Sequence, residues 1–220
     1  MRGLFVSFEG GEGAGKSTQI AHLARRLRER GLRVVATREP GGSPRAERIR
    51  SILLSGQAKD LGSQGETMLF AAARRDHVET LIAPALGEGA LVLCDRFIDS
   101  TRVYQGAVAG LDQRFLGALE AAATAGTMPD LTLVIDVPAE LGLERARLRR
   151  TARGEAPDRF EAEGAAYHAK VRDAFLTIAA AEPRRCTVID GGEAPDRVAE
   201  AVWAAVAPHL DARAGQGRRA

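Results

Sequence analysis

Eight residues constrain this chain more than any others: Gly10-Gly11-Glu12-Gly13-Ala14-Gly15-Lys16-Ser17. They match the spacing GxxxxGK[ST], a pattern that carries meaning between a strand and a helix. Both flanks comply. Leu4–Phe8 is a β-rich apolar run that ends at Glu9. Ser17 to Arg30 reads as a helix, with Ile20, Leu23, Ala24 and Leu27 at helical spacing and Gly31 as its stop. Glycines let such a loop turn its N–H groups inward onto phosphate, and the helix N-terminus adds a favourable dipole. Gly10, Gly11, Glu12, Gly13, Ala14, Gly15, Lys16, Ser17 and Thr18 are therefore the expected cradle for ATP. Lys16 would reach the β- and γ-phosphates, and Ser17 Oγ would ligate Mg²⁺.

The rest of the chain alternates in the same manner. Apolar runs at Val34–Thr37, Leu91–Cys94, Leu131–Ile135 and Thr187–Ile189 read as four further strands. Helical stretches fall at Glu47–Leu54, Glu66–Leu86, Gln113–Thr124, Glu140–Arg149, Gly164–Ala180 and Pro195–Leu210. Such alternation implies right-handed βαβ crossovers: an α/β three-layer sandwich of the P-loop type, with a five-stranded parallel sheet. Ligands on such sheets gather at the C-terminal strand ends. The first three strands end in Glu9, Arg38-Glu39 and Asp95-Arg96, and those three loops are expected to meet over one cleft. One domain over residues 1–210 is expected, with 211–220, small and polar, as a disordered tail.

Composition narrows the partners. Lys plus Arg number 31 and Asp plus Glu 29, so the net charge is only +2. That balance argues against a nucleic-acid polymer or an anionic membrane surface as partner. No apolar run approaches the roughly 20 residues of a membrane span, and no signal-peptide core opens the chain, so a cytoplasmic location is expected. Cys94 and Cys186 each lie inside an apolar run and read as buried free thiols.

Asp95 closes the third strand, where a metal-binding acid belongs in a P-loop protein. Arg96 directly after it is placed to hold an acceptor phosphate near the transferring group. No guanine-reading NKxD motif follows a later strand, which turns the reading from a GTPase to a kinase. The stretch RARLRRTARGEAPDR carries Arg145, Arg147, Arg149, Arg150, Arg153 and Arg159. Its Gly and Pro breaks suggest a mobile lid at about residues 145–160, bringing cations to the transferring phosphoryl and excluding water.

Five segments together resemble the thymidylate kinases of the bacterial type: FEGGEGAGKST at Phe8–Thr18, TREPGG at Thr37–Gly42, MLFAAARRDH at Met68–His77, LCDRFIDSTRVYQG at Leu93–Gly106 and PDLTLVIDV at Pro129–Val137. The resemblance implies ATP and Mg²⁺ as cofactors, dTMP as acceptor, dTDP as product in dTTP biosynthesis, and a homodimer. It sets the thymine against Phe70, with Arg74 at a base carbonyl; helical spacing of i and i+4 places both on one face. It puts Thr101 and Gln105 at the polar edge of the base, and Tyr104 where a ribose 2′-hydroxyl would fall. Arg96 and Arg50 would grip the acceptor phosphate and Glu12 would meet the sugar 3′-hydroxyl. Glu39 would arrange phosphate or metal-bound water. The loop positions Gly11, Glu12, Gly13 and Ala14 include no Arg, so the transition-state cation is expected from the lid: Arg153 first, then Arg149 or Arg150. Two other readings stay open: a P-loop kinase with a different nucleotide or nucleoside acceptor, and a nucleotide-binding protein with no transfer activity.

Overall fold

A computed structural model of the chain describes residues 2–154 and 163–217, the side chains of Arg153 and residues 214–217 excepted. Five strands, β1 Phe5–Glu9, β2 Val34–Arg38, β3 Leu91–Asp95, β4 Leu131–Asp136 and β5 Cys186–Asp190, pair in parallel in the order β2-β3-β1-β4-β5. The expected five-stranded parallel sheet is present, each strand reaching one residue further into its closing polar residue than its apolar run. β1 is central and buried throughout, so its run FVSFE needs no polar face.

The helices are α1 Lys16–Glu29, α2 Pro44–Ser55, α3 Gly62–His77, α4 Ala83–Gly87, α5 Ile98–Thr101, α6 Gln113–Thr124, α7 Ala139–Arg153, α8 Ala165–Ala181 and α9 Pro195–Gly217. α1 and α9 cover one face of the sheet. Ile20, Leu23 and Leu27 there meet Val6, Phe8, Leu93 and Leu133, with Val198, Val202 and Val206 beside them. On the other face Phe5, Val92 and Cys94 pack with Val78, Ile82, Leu86 and Phe97, while α8 lays Val171, Phe175 and Ala179 on Val134. Both cysteines are buried and unpaired. No described helix is long and apolar enough to cross a membrane.

Four departures from the sequence reading matter. The long helix expected over Glu66–Leu86 is present but widens at Val78–Ile82 into a π-helical turn that joins α3 to α4 without a break. The segment after Asp95, read as loop, is instead α5 continued by a second π-helical stretch, Arg102–Val108. α7 runs to Arg153 rather than Arg149, so the first half of the expected lid is helical, and residues 155–162, Arg159 among them, lie outside the described residues. The C-terminal helix also continues to Gly217, well into the segment expected to lack structure.

Candidate active site

The loop between β1 and α1 is fixed by close backbone approach. A Cβ on Gly13 would stand 1.9 Å from the Gly142 carbonyl oxygen, and one on Gly142 would stand 2.3 Å from that of Glu12. Only glycines at both places let the first turns of α7 touch the phosphate loop. Lys16, buried at the start of α1, donates to the carbonyls of Gly10 (3.1 Å) and Gly11 (2.8 Å). Burial, helped by neighbouring Arg96, lowers its pKa, against the pull of Asp95, Glu12 and Glu9.

β3 lies beside β1 with Asp95 opposite Phe8, which carries the Asp95 carboxylate to the loop. Ser17 Oγ donates to Asp95 Oδ2 at 2.6 Å. The two expected metal ligands thus meet across 78 residues of sequence.

The residue after Asp95 adopts an unusual backbone. Arg96 has φ 68°, a left-handed value that costs a non-glycine residue about 1–3 kcal/mol. Its N–H donates to Phe8 O (2.9 Å), and its guanidinium donates to Gly10 O (3.2 Å), Ser100 Oγ (3.3 Å) and the Glu12 carboxylate. Burial alone would raise the Glu12 carboxyl; Arg96, Lys16 and Arg149 outweigh it and hold it below the usual carboxylate range.

A cavity of about 280 Å³ opens over these groups. Glu12, Ser17, Asp95 and Arg96 line its phosphate end. Arg50 from α2 and Phe70 and Arg74 from α3 line one wall; Thr101, Tyr104 and Gln105 from α5 and its continuation line the other. Every acceptor residue expected from the sequence therefore borders one hollow. A second cavity of about 270 Å³ lies behind the loop, between Gly13, Ala14, Thr18, Arg145, Gly191 and Pro195. Arg149 borders both cavities.

Two of these residues, Glu39 and Arg74, also carry bonds to the framework. Glu39 was expected at phosphate or metal-bound water, but its carboxylate is committed to protein: Arg74 Nε donates to Oε2 (2.7 Å) and His77 Nδ1 lies 3.1 Å from Oε1. Arg74 is 4% exposed and also donates to Thr101 Oγ1 (2.9 Å) and Phe97 O (3.1 Å), so one N–H on each terminal nitrogen is left for a base. Arg145 donates to Gly191 O (2.8 Å), which ties the base of the expected lid to the loop after β5. The Arg153 side chain falls outside the described residues, so its expected place at the transferring phosphoryl stays with the lid proposal.

Sequence reasoning missed the supports. His77, fully buried, links Thr37 Oγ1 (2.7 Å) to Glu39; its only signal was its place at the end of the segment Met68–His77. Asp99 is buried with a forked pair of bonds from Arg185 (2.7 and 3.0 Å), a partner 86 residues away that no local pattern announces.

A central phosphate loop, a Ser–Asp oxygen pair and an arginine-lined hollow at the same ends of the strands define a P-loop phosphotransferase of the nucleotide-kinase class. The family model for thymidylate kinase matches residues 8–202, and the chain belongs to that family. It is 57% identical over 205 residues to the thymidylate kinase of Nitrobacter winogradskyi, covering 93% of this chain and 88% of that protein. It is 53% identical over 218 residues to that of Rhodopseudomonas palustris, covering 98% and 94%. The crystal structure of thymidylate kinase from Ehrlichia chaffeensis superposes with a TM-score of 0.72 at 35% identity, over 92% of this chain and 97% of that one.

Proposed function

We propose that the protein transfers the γ-phosphoryl group of ATP to dTMP, giving ADP and dTDP on the route to dTTP. The observation that carries this reading is the shared hollow: Glu12 of the phosphate loop, the Ser17–Asp95 pair and a wall bordered by Phe70 and Arg74 open into one cavity.

The donor phosphates lie on the N–H groups of Gly10–Thr18, with Lys16 at the β- and γ-phosphates, and the second cavity takes the donor's base. Ser17 Oγ and the Asp95 carboxylate are hard oxygen donors that fit Mg²⁺, which when bound neutralises charge on the donor phosphates. Thymine stacks on Phe70. Arg74, Thr101 and Gln105 serve its polar edge, Tyr104 excludes a 2′-hydroxyl, and Glu12 accepts from the 3′-hydroxyl. Arg50 and Arg96 hold the acceptor phosphate, for which the planar guanidinium fork is suited. That phosphate is ionised at neutral pH, so its oxygen attacks in line without a general base. Catalysis is positioning and charge neutralisation. Arg149, common to both cavities, is the described lid residue best placed as the bridging cation; Arg150 and Arg153 follow it on α7. A cytoplasmic homodimer belongs to the same proposal, and light scattering of the purified protein tests the dimer.

The deciding experiment is ADP release with ATP·Mg²⁺ and a panel of dTMP, dUMP, UMP, CMP, AMP and GMP. dTMP is expected to give the highest kcat/KM. A better acceptor elsewhere in the panel replaces the assignment, and ATP binding with no acceptor-dependent ADP ends the kinase reading.

A further inference from the structure

Glu9 is an acid at the end of the fully buried central strand, and it is 0% exposed. It touches neither cavity, and the reaction as derived above does not use it. Its two oxygens are both occupied from the same turn: Phe97 N–H donates to Oε1 (2.7 Å) and Ser100 Oγ–H to Oε2 (2.7 Å). Those residues span the turn that directly follows Arg96, whose φ is 68°. Ser100 Oγ in turn accepts from Arg96 Nη1 (3.3 Å).

We propose that Glu9 is a positioning residue for phosphoryl transfer, holding the Phe97–Ser100 turn so that the Arg96 guanidinium is aimed at the acceptor phosphate. This rests on the role given to Arg96 above. A carboxylate only accepts hydrogen bonds. It therefore draws the Ser100 hydroxyl hydrogen toward itself and leaves the Ser100 lone pairs to Arg96. An amide in the same place presents an N–H₂ at one of its two ends. With Phe97 N–H fixed on the oxygen, that N–H₂ competes with Arg96 for the same Ser100 oxygen.

The environment argues that this acid is not there for stability. Asp99 on α5, Arg96 in the turn, Lys16 at the start of α1 and Cys94 on β3 are the titratable groups that act on it or feel its charge. Burial, with Asp99 adding to it, pushes the Glu9 carboxyl up to about 7, against the pull of Ser100, Arg96 and Phe97 N–H. A neutral side chain of the same shape would fill the site with less desolvation cost.

The test uses the full-length enzyme at pH 8, comparing wild type, Glu9→Gln, Ser100→Ala and the double variant by kcat, by KM for dTMP and for ATP, and by Tm. Glu9→Gln is expected to lower kcat about tenfold or more while its Tm equals or exceeds that of wild type. Ser100→Ala is expected to act in the same direction but less, and the double variant to be no slower than Glu9→Gln alone. Activity of both single variants within about twofold of wild type overturns the inference, as does a kcat loss that only tracks a fall in Tm, or losses that multiply in the double variant. Should Glu9→Gln fail to fold, Ser100→Ala decides alone, its unchanged kcat overturning the proposal. A wild-type enzyme without dTMP turnover ends the functional reading and this inference with it; an active wild type matched by its variants ends only this inference.

Discussion

The loop Gly10–Thr18 and the acceptor wall facing it differ in how much chain each needs. The loop is contiguous, and its Lys16 bonds to carbonyls five and six residues away. The wall joins α2, α3, the turn after β3 and the π-helical continuation of α5, through contacts such as Arg74–Glu39 and Arg74–Thr101 that span 35 and 27 residues. In the loop, backbone N–H groups are the proposed phosphate donors, and the hydrogen bonds of Lys16 stay within the loop itself. In the wall, the groups that would read the base also hold the buried structure together. Binding and folding are thus expected to be separable on the donor side and entangled on the acceptor side.

Lys16→Ala tests that separation with the largest effect. It should lower kcat by about 10³-fold or more, since charge neutralisation dominates phosphoryl transfer. Circular dichroism and Tm should stay near wild type; near-normal turnover would remove Lys16 from the phosphates.

Arg74→Met should show the opposite coupling. It removes the cationic partner of a Glu39 carboxylate that is 6% exposed and keeps His77, and losing one partner of a buried pair costs up to about 3–5 kcal/mol. Urea denaturation should therefore report a large loss together with weakened dTMP binding. A stable variant with weakened binding would mean that the wall separates the two functions after all.

Glu9 sits at the seam of the two halves, and its titration gives a pH signature. Its folded pKa of about 7 lies above the ordinary 4.5, so the folded state binds the proton more tightly. This group's contribution to stability is full below pH 4.5, declines as pH rises to about 7 and is lost above it, a total of about 3 kcal/mol at most. Denaturation midpoints measured from pH 5 to pH 8 should fall less steeply in Glu9→Gln than in wild type; parallel curves would show that the carboxyl titrates normally.

Phe70→Ala should give the smallest change. Loss of one aromatic face costs about 1 kcal/mol, or roughly five- to tenfold in KM for dTMP, with KM for ATP unmoved. Equal shifts in both constants would place Phe70 in the framework rather than at the base.

Legibility in the sequence followed the same division. The phosphate loop and the strand-end acid Asp95 were readable because strand–loop–helix order is local; Phe70 and Arg74 came from the family resemblance, and the 3.6-residue period only set them on one face. Glu39 was placed at the site, where it borders the cavity, but its hydrogen bonds to the framework were not foreseen. Its partners, Arg74 and His77, are brought to it by α3 packing near the edge of the sheet, which no local pattern encodes. α5 and its continuation were missed because IDSTRVYQG has β-branched and small residues where a helix pattern would show apolar spacing, and burial under α8 overrides that weak preference.

By itself the amino-acid order determined a parallel α/β sheet with a phosphate-binding turn at its first strand, since apolar runs, glycines and helix starts act within a few residues of one another. Tertiary structure alone decided which oxygens and guanidiniums face each other. Ser17 meets Asp95, and Glu9 meets Ser100, only because β1 and β3 are neighbours in the sheet although separated in the chain. Hydrogen bonds act over about 3 Å, and only folding sets distances of that order between residues so far apart in sequence.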